Sequence, residues 1–293
     1  MQQSKTIKNI IKINLPKLEW SSSSHLDIEI LISKVIDRNR TFVLSNPDHL
    51  LTQKEFNKLN ELIQRRIKKE PIAYIIKEKD FYGNTFYIDK NVLIPRPETE
   101  LLVDQAIKYL KNKEPLSLID VGTGSGCIII SILKEILISI DESIENKMFI
   151  ATDISEEALN VAKNNADKIL FENKNLISFI NTNLLENINS KFDLLVSNLP
   201  YISIEEYKNL SPEIINYEPK HSLTDKSYGY SLITNLMYQA KKKMKNNSLI
   251  LLEINHSQKD ILTEIAGDIF NNSKIDVIKD YANLNRILKI ENY

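Results

Sequence analysis

Three segments of this 293-residue sequence carry residue types that can hold a ligand or a reacting group, and each follows an apolar run. They are Asp120-Val121-Gly122-Thr123-Gly124-Ser125-Gly126, the single residue Asp153, and Asn198-Leu199-Pro200-Tyr201. If the apolar runs are parallel strands, their carboxyl ends meet at one edge of a sheet. We therefore expect one site built from all three segments.

The first segment holds three of the chain's six glycines at a predicted turn from a strand into a helix that begins near Cys127. Glycine allows a ligand to approach the backbone closely, and a helix N-terminus offers N–H groups to a polar or anionic group. The segment predicts a ligand cradle, with a purely structural turn as the alternative. Its G-x-G-x-G spacing differs from the dinucleotide pattern and disfavours a nicotinamide cofactor.

Asp153 ends the next predicted strand, beside the glycine loop. A carboxylate there can accept hydrogen bonds from both hydroxyls of a ribose, each worth about 1.5 to 3 kcal/mol. The alternative is a helix N-cap for the segment that starts at Ser155. Together with the loop, Asp153 predicts a nucleoside-bearing ligand and leaves NAD and S-adenosylmethionine open.

The third segment favours S-adenosylmethionine and a methyl transfer to nitrogen. An amide nitrogen is a poor nucleophile because its lone pair is delocalised, so orientation is the main catalytic task. The Asn198 side-chain oxygen and a following backbone carbonyl can accept the two N–H bonds, while Tyr201 packs on the flat face of the acceptor. No strong base is required. The alternative is a turn that only closes a strand.

A sheet flanked by helices must position these segments. From Leu116 onward, short apolar runs alternate with longer helical stretches, which is typical of an α/β fold with a mostly parallel sheet. The predicted strands are Leu116 to Ile119, Met148 to Thr152, Ile177 to Ile180, Phe192 to Val196 and Ser248 to Leu252, with a pair at Ile275 to Ile278 and Arg286 to Ile290.

The part before this α/β pattern is predicted to be helical. One helix has its apolar stripe at Ile28, Leu31, Ile32, Val35 and Ile36, and another starts at a capping box of Thr52 and Glu55. Lys79 to Tyr87 predicts a β-hairpin that turns at Gly83-Asn84. Because Ile94-Pro95-Arg96-Pro97 continues neither element, we expect the domain junction there. The predicted domains are 1–78, helical; 79–97, hairpin and linker; and 98–293, α/β.

Bulk properties limit the partners. A net charge of -1 and a pI near 6.5 give no global field for a polyanion, which disfavours nucleic acid. The single Cys127 and four scattered histidines predict neither a disulfide nor a metal site. We expect Cys127 to be a packed core residue. A single cysteine is typical of a reducing compartment, so we expect a cytoplasmic protein, although the basic stretch from Lys5 to Lys17 leaves organelle targeting open. No apolar run approaches the length of a membrane helix.

The sequence resembles the release-factor glutamine methyltransferases, the PrmC (formerly HemK) family, over nearly its whole length. The segments that carry the resemblance are Glu70 to Tyr74, Leu93 to Glu100, Asp120 to Gly126, Val196 to Ile202 and Tyr217-Glu218-Pro219. The resemblance implies a Rossmann-like class I methyltransferase domain of seven strands with a C-terminal antiparallel hairpin, plus a small helical domain that engages the substrate. It also implies methyl transfer from S-adenosylmethionine to the glutamine of the Gly-Gly-Gln motif in class 1 release factors.

By position, the resemblance implies that Gly122 to Gly126 cradle the cofactor, Asp153 holds its ribose and Asn183-Leu184 flank its adenine. Asn198, Leu199, Pro200 and Tyr201 grip the substrate glutamine, and Asn198 also borders the cofactor. The family's usual Pro is Leu199 here, its common Asp is Asn183, and the aromatic that often follows is Leu184. Arg96, Glu98 and Glu100 either border the site or form interdomain salt bridges.

Two other functions stay open. The Asn-Leu-Pro-Tyr loop also resembles loops that present adenine N6, so a nucleic-acid amino-methyltransferase is one alternative. The other is a noncatalytic S-adenosylmethionine-binding protein that uses its helical domain to bind a partner.

Overall fold

The computed structural model describes residues 5–110, 116–139 and 147–292. The chain divides into two compact units. The helical unit contains Met1–Lys77 and Ser211–Tyr217, and the α/β unit contains Glu78–Leu210 and Glu218–Tyr293. Within the described ranges, no helix is both long enough and apolar enough to cross a membrane.

The helical unit confirms the predicted helices. Its first five helices are α1 Ile7–Asn14, α2 Ser24–Ile36, α3 Arg40–Ser45, α4 Gln53–Ile67 and α5 Ile72–Ile76. The capping box of α4 is present, with the Thr52 hydroxyl accepting from the Glu55 N–H and the Glu55 carboxylate accepting from the Thr52 N–H. Apolar residues of α2 and α4, among them Ile28, Leu31 and Leu59, form one buried core.

A two-stranded hairpin, β1 Glu78–Phe81 and β2 Asn84–Tyr87, opens the α/β unit. Its turn residues are Tyr82 and Gly83, with φ of 48° and 68°, so the predicted turn at Gly83-Asn84 is wrong by one residue. Asn84 begins β2 instead, and its side-chain amide donates to the Tyr82 carbonyl. Tyr82 tolerates the left-handed conformation because its N–H donates to the Glu100 carboxylate at 2.8 Å.

The hairpin is part of the α/β core rather than a linker. Phe81 and Phe86 are almost fully buried in a cluster with Leu118 of the sheet. The division between the units falls between Lys77 and Glu78, within one residue of the predicted end of the helical domain at 78, and the expected junction of Ile94 to Pro97 lies inside the α/β unit. The aromatic arms that predict the hairpin bury their rings in the α/β unit, and this burial draws the hairpin into it.

Among the described residues, seven strands form the main sheet, in the order β5-β4-β3-β6-β7-β9-β8. Their bounds are β3 Ser117–Val121, β4 Met148–Asp153, β5 Ile177–Asn181, β6 Phe192–Ser197, β7 Met244–Glu253, β8 Lys274–Lys279 and β9 Asn285–Asn292. The pairs among β3 to β7 are parallel, whereas β9 is antiparallel to both β7 and β8. The predicted sheet, including its C-terminal antiparallel hairpin, is confirmed.

Helices cover both faces of this sheet. They are α6 Glu100–Leu110, α7 Cys127–Ser139, α8 Glu156–Leu170, α11 Ser231–Ala240 and α12 Lys259–Ile269. Two short helices, α9 Ile204–Tyr207 and α10 Pro212–Tyr217, lie between β6 and α11 in the chain. Successive residues of a strand point to opposite faces. Accordingly, Leu118 belongs to a core cluster with residues of α6 and α7, whereas Ile119 belongs to a cluster with residues of α11 and α12.

The helix α10 belongs to the helical unit although it lies inside the range expected for the α/β domain. Its Glu213 forms an ion pair with buried Arg66, which also binds Asp27 at 2.8 Å and lies over the Trp20 ring. The Tyr217 hydroxyl donates to a backbone carbonyl of the same unit. These contacts correct the expected boundary of 98–293, because seven residues within that range pack elsewhere.

We expect Arg66→Ala to destabilise the helical unit by about 3 to 5 kcal/mol, because it leaves the buried carboxylate of Asp27 without the positive charge that it pairs with. Urea unfolding followed by the fluorescence of Trp20, the only tryptophan, measures this loss. Arg65→Ala is the matched control, since the Arg65 side chain is 40% exposed and its pair with Glu70 should contribute about 1 kcal/mol or less. Equal losses in the two variants would contradict a buried anchor at Arg66.

Candidate active site

A cavity of about 300 Å³ lies at the carboxyl edge of the parallel strands, within the α/β unit. The chain runs outward from β3 through β4 to β5 and then returns to β6 on the other side of β3, so this edge is a topological switch point, where α/β proteins bind ligands. The lining residues used below are Arg96, Thr99, Gly122, Thr123, Gly124, Ser125, Cys127, Asp153, Asn183, Leu184, Asn198, Leu199, Pro200 and His221. Most of the predicted site residues thus meet around one cavity.

The glycine loop divides into an open part and a packed part. A Cβ at Gly124 would meet no atom within 4 Å, so the backbone there borders open space. A Cβ at Gly126 would lie 2.8 Å from Ile130 Cδ1 and 3.2 Å from Ala162 Cβ, and Gly126 does not line the cavity. Gly124 therefore stays a candidate for the predicted ligand cradle, whereas Gly126 fits the alternative of a structural turn.

We expect Gly126→Ala to cost about 2 to 5 kcal/mol of unfolding free energy, from left-handed strain at its φ of 79° and from overpacking. Gly124→Ala, at a φ of 55°, should cost only the strain, about 1 to 2 kcal/mol. Gly267 lies in helix α12 with open space around it, so Gly267→Ala should raise the unfolding free energy by up to about 1 kcal/mol. Denaturant unfolding of the three variants measures these differences, and equal losses at Gly124 and Gly126 would show that the packing argument is wrong.

Asp153 closes β4 and ties the loop to it. Its two carboxylate oxygens accept from the N–H groups of Gly124 and Ser155, each at 2.9 Å. Burial raises the pKa of Asp153, and these hydrogen bonds oppose the rise. The N-cap of α8 is Ser155, whose hydroxyl accepts from the Ala158 N–H, so the N-cap role considered for Asp153 belongs to Ser155. Each carboxylate oxygen can accept a further hydrogen bond from a ligand hydroxyl.

Asn183 and Leu184 line the cavity beyond Asp153. The Asn183 amide donates to the Glu186 carboxylate at 2.8 Å, and Leu184 is 8% exposed with a φ of 53°. His221, which sequence analysis set aside as scattered, also lines the cavity, and its proximity opposes the rise in the pKa of Asp153. Its position rests on the turn Lys220–Ser222, far along the chain from Asp153, and no local sequence signal marks it.

The Asn-Leu-Pro-Tyr loop contributes Asn198, Leu199 and Pro200 to the cavity wall. Leu199 is 6% exposed, and its Cδ2 lies 2.9 Å from the place where a Cβ of Gly122 would be, so it packs directly on the glycine loop. Tyr201 does not line the cavity. Its hydroxyl donates to Glu253 at 3.2 Å, and its carbonyl accepts from Gln258 at 2.8 Å. Stacking of Tyr201 on an acceptor stays a prediction.

Sequence analysis did not single out two buried residues that are hydrogen-bonded in series to Asn198. Thr99 accepts a hydrogen bond from Asn198 Nδ2 at 3.1 Å and donates one to Glu253 Oε2 at 2.7 Å. Both are buried, at 2% and 1% exposure. A usable signal existed for Glu253, because an acid that ends an apolar strand lies at the carboxyl edge of the sheet.

The segments around Arg96 and Glu218 are joined by a short ion pair of 2.6 Å. Glu218 is buried and also accepts from the Ile94 N–H. Both residues belong to the α/β unit, so the interdomain salt bridge considered for Arg96 is wrong, and Glu100 likewise binds Tyr82 of the same unit. The ion pair and this hydrogen bond join the segment of Ile94 and Arg96 to Glu218, 122 residues further along the chain.

Two further buried titratable groups, Cys127 and Asp120, lie at the two ends of the glycine loop. Burial raises the pKa of the Cys127 thiol to about 12, so this thiol is neutral at physiological pH and packs in the core, as predicted. Burial also raises the pKa of Asp120 to about 7, although the Thr123 hydroxyl donates to it. Among the described residues, no group of three or more histidine, cysteine or acidic side chains could hold a metal ion.

Comparison with known proteins gives matches along most of the chain. The model of the PrmC N-terminal domain matches residues 17–76, and a methyltransferase domain model matches residues 112–271. A release factor glutamine methyltransferase of Buchnera aphidicola is 34% identical, covering 96% of this chain and 97% of its own length. A release factor glutamine methyltransferase of Mycoplasma mycoides is 32% identical, and the match covers 98% of this chain and 99% of that relative. A bifunctional methyltransferase of Rickettsia bellii is 36% identical over 96% of this chain. The chain spans only 52% of the length of that relative.

Proposed function

The chain belongs to the release factor glutamine methyltransferase family, and we propose that it methylates the glutamine of the Gly-Gly-Gln motif in class 1 peptide chain release factors. The methyl group of S-adenosylmethionine goes to the side-chain amide nitrogen (N5), and S-adenosylhomocysteine is the product. The observation that carries the proposal is the Asn198 carboxamide at the cavity wall, with its nitrogen bound to Thr99 and its oxygen left for a substrate N–H.

The cofactor fits the open part of the glycine loop. S-adenosylmethionine supplies an electrophilic methyl group on its sulfonium. The backbone at Gly122 to Ser125 borders the space for the cofactor. Asp153 offers carboxylate oxygens to the ribose hydroxyls, and Asn183 and Leu184 border the adenine. We propose no metal for this reaction, since methyl transfer from a sulfonium needs orientation more than a Lewis acid.

The loop orients the glutamine. The side-chain oxygen of Asn198 and a following backbone carbonyl of the loop accept the two amide hydrogens, which turns the nitrogen lone pair towards the methyl group. The nitrogen releases one proton after it has gained the methyl group, when it is strongly acidic, so no strong base is required. We further propose that Tyr201 flanks the acceptor, with its hydroxyl held by Glu253.

We assign the helical unit to recognition of the release factor and place the reaction in the cytoplasm, where translation ends. A nucleic-acid substrate is not favoured, because the net charge of -1 offers no general attraction for phosphates. Steep salt dependence of binding to RNA or DNA would be the mark of that alternative.

Transfer of radiolabel from S-adenosylmethionine tests the proposal. We expect label in a class 1 release factor, none in a release factor whose Gly-Gly-Gln glutamine is alanine, and none in RNA or DNA. Cofactor binding measured in parallel separates an inactive enzyme from one that needs another substrate. Label in nucleic acid, or label retained by the alanine control, would overturn the proposal.

A further inference from the structure

We propose that Thr99 and Glu253 are positioning residues that fix which end of the Asn198 carboxamide faces the substrate. This inference rests on the proposed function, because the atom that it places in position is the acceptor for the substrate amide. Neither residue touches the reacting atoms in the mechanism above, so each acts through Asn198.

The three side chains form a continuous chain of hydrogen bonds. Asn198 Nδ2 lies 3.1 Å from Thr99 Oγ1, which lies 2.7 Å from Glu253 Oε2. They come from three separate parts of the sequence, namely the 3₁₀ turn Pro97–Thr99, the loop after β6, and the end of β7. Thr99 and Glu253 are 154 residues apart, so only the folded sheet brings them together.

The order of donors and acceptors follows from Glu253. A carboxylate only accepts hydrogen bonds, so the single hydrogen of the Thr99 hydroxyl is directed to Glu253. Towards Asn198, Thr99 can then offer only a lone pair, and the carboxamide must present its nitrogen to it. The Asn198 oxygen is thereby left for the substrate.

Glu253 accepts a hydrogen bond from a second hydroxyl as well. The Tyr201 hydroxyl donates to its second oxygen at 3.2 Å, and burial raises the pKa of Tyr201, so this phenol keeps its proton. Burial raises the pKa of Glu253 and the charge of Glu98 adds to the rise, whereas the two hydrogen bonds and the nearby charge of Arg286 oppose it. One buried carboxylate therefore anchors both ends of the Asn-Leu-Pro-Tyr loop.

A reversed carboxamide explains why this order matters. An Asn198 side chain turned by half a rotation would present its N–H groups to the N–H groups of the substrate, and two donors would face each other. Without the Thr99 hydroxyl, the two orientations would differ little in energy. The loop could keep its fold and still orient the glutamine incorrectly.

The test compares Thr99→Val, which keeps the shape of the side chain and removes the hydroxyl, with Thr99→Ser, which restores it. We expect Thr99→Val to lower kcat for methylation of the release factor by about 10- to 100-fold while the Kd of S-adenosylmethionine stays within about twofold. Thr99→Ser should recover most of the lost rate. Thr263→Val is the matched control, since that hydroxyl lacks a hydrogen-bond partner among the described residues, and it should keep the wild-type rate.

A double-mutant cycle separates positioning from a general loss of structure. If Thr99 acts through Asn198, Thr99→Val should lower the residual rate of Asn198→Ala by less than about twofold. Additive losses, or a Thr99→Val enzyme as fast as wild type, would overturn the inference while leaving the proposed function intact. A wild-type enzyme that binds cofactor but does not label the glutamine would instead remove the proposed function, and this inference with it.

Discussion

Asn198→Ala should lower kcat for methylation of the release factor by about 10²- to 10³-fold, the usual cost of removing one preorganised polar contact at a reacting group. The variant loses the oxygen that orients the substrate amide, but Thr99 and Glu253 still bind each other. We therefore expect the Kd of S-adenosylmethionine to rise by only a few fold. Single-turnover transfer of label, at saturating cofactor and release factor, measures the loss in the chemical step.

Asn272→Ala is the matched control for this prediction. Asn272 is exposed and precedes β8, which runs parallel to β7, so it lies at the edge of the sheet opposite the cavity. This control should transfer methyl groups at the wild-type rate. Retention of more than a tenth of the rate by Asn198→Ala would show that other groups orient the glutamine.

Asp153→Ala should raise the Kd of S-adenosylmethionine by about 10- to 100-fold, because charge-assisted hydrogen bonds to the ribose are worth about 1.5 to 3 kcal/mol each. The substitution also frees the Gly124 N–H, which loosens the open part of the glycine loop. Both effects weaken cofactor binding, so both raise the Kd. Isothermal titration calorimetry with S-adenosylmethionine measures it directly.

Asp268→Ala serves as the control for Asp153→Ala, since Asp268 is an exposed residue of α12 that does not line the cavity. Its Kd for S-adenosylmethionine should equal that of the wild type. An unchanged Kd in Asp153→Ala would mean that the cofactor does not use this carboxylate. In that case the assignment of the ribose to the end of β4 would be wrong.

The sheet and the position of its loops were predictable from sequence. Apolar runs such as Phe192 to Val196 are long enough to fix a buried strand, and the polar residues that follow them reach the carboxyl edge by rule. The glycine loop, Asp153 and Asn198 therefore fall around one cavity, as expected. The turn at Tyr82 was less predictable, because the Glu100 carboxylate that supports it is remote in sequence.

Contacts between distant segments could not be predicted. Arg66 and Glu213 are 147 residues apart. Only the folded structure shows that α10, which carries Glu213, belongs to the helical unit. Thr99 and Glu253 each have an ordinary local explanation, as a residue in a 3₁₀ turn and the end of a strand. Their role depends on a hydrogen-bond order that exists only after the sheet has formed. Hydrophobic periodicity predicts helices and strands, whereas hydrogen bonds between distant segments can be identified only in the folded structure.

The position of the methyl group is the most direct test of this account. The purified protein would be incubated with S-adenosylmethionine and a class 1 release factor, and the Gly-Gly-Gln peptide would be sequenced by tandem mass spectrometry. The account predicts one methyl group on the side-chain nitrogen of that glutamine, and a far slower appearance of it with the Asn198→Ala enzyme. A methyl group on another residue, or an unmodified peptide from an enzyme that binds cofactor, would contradict it.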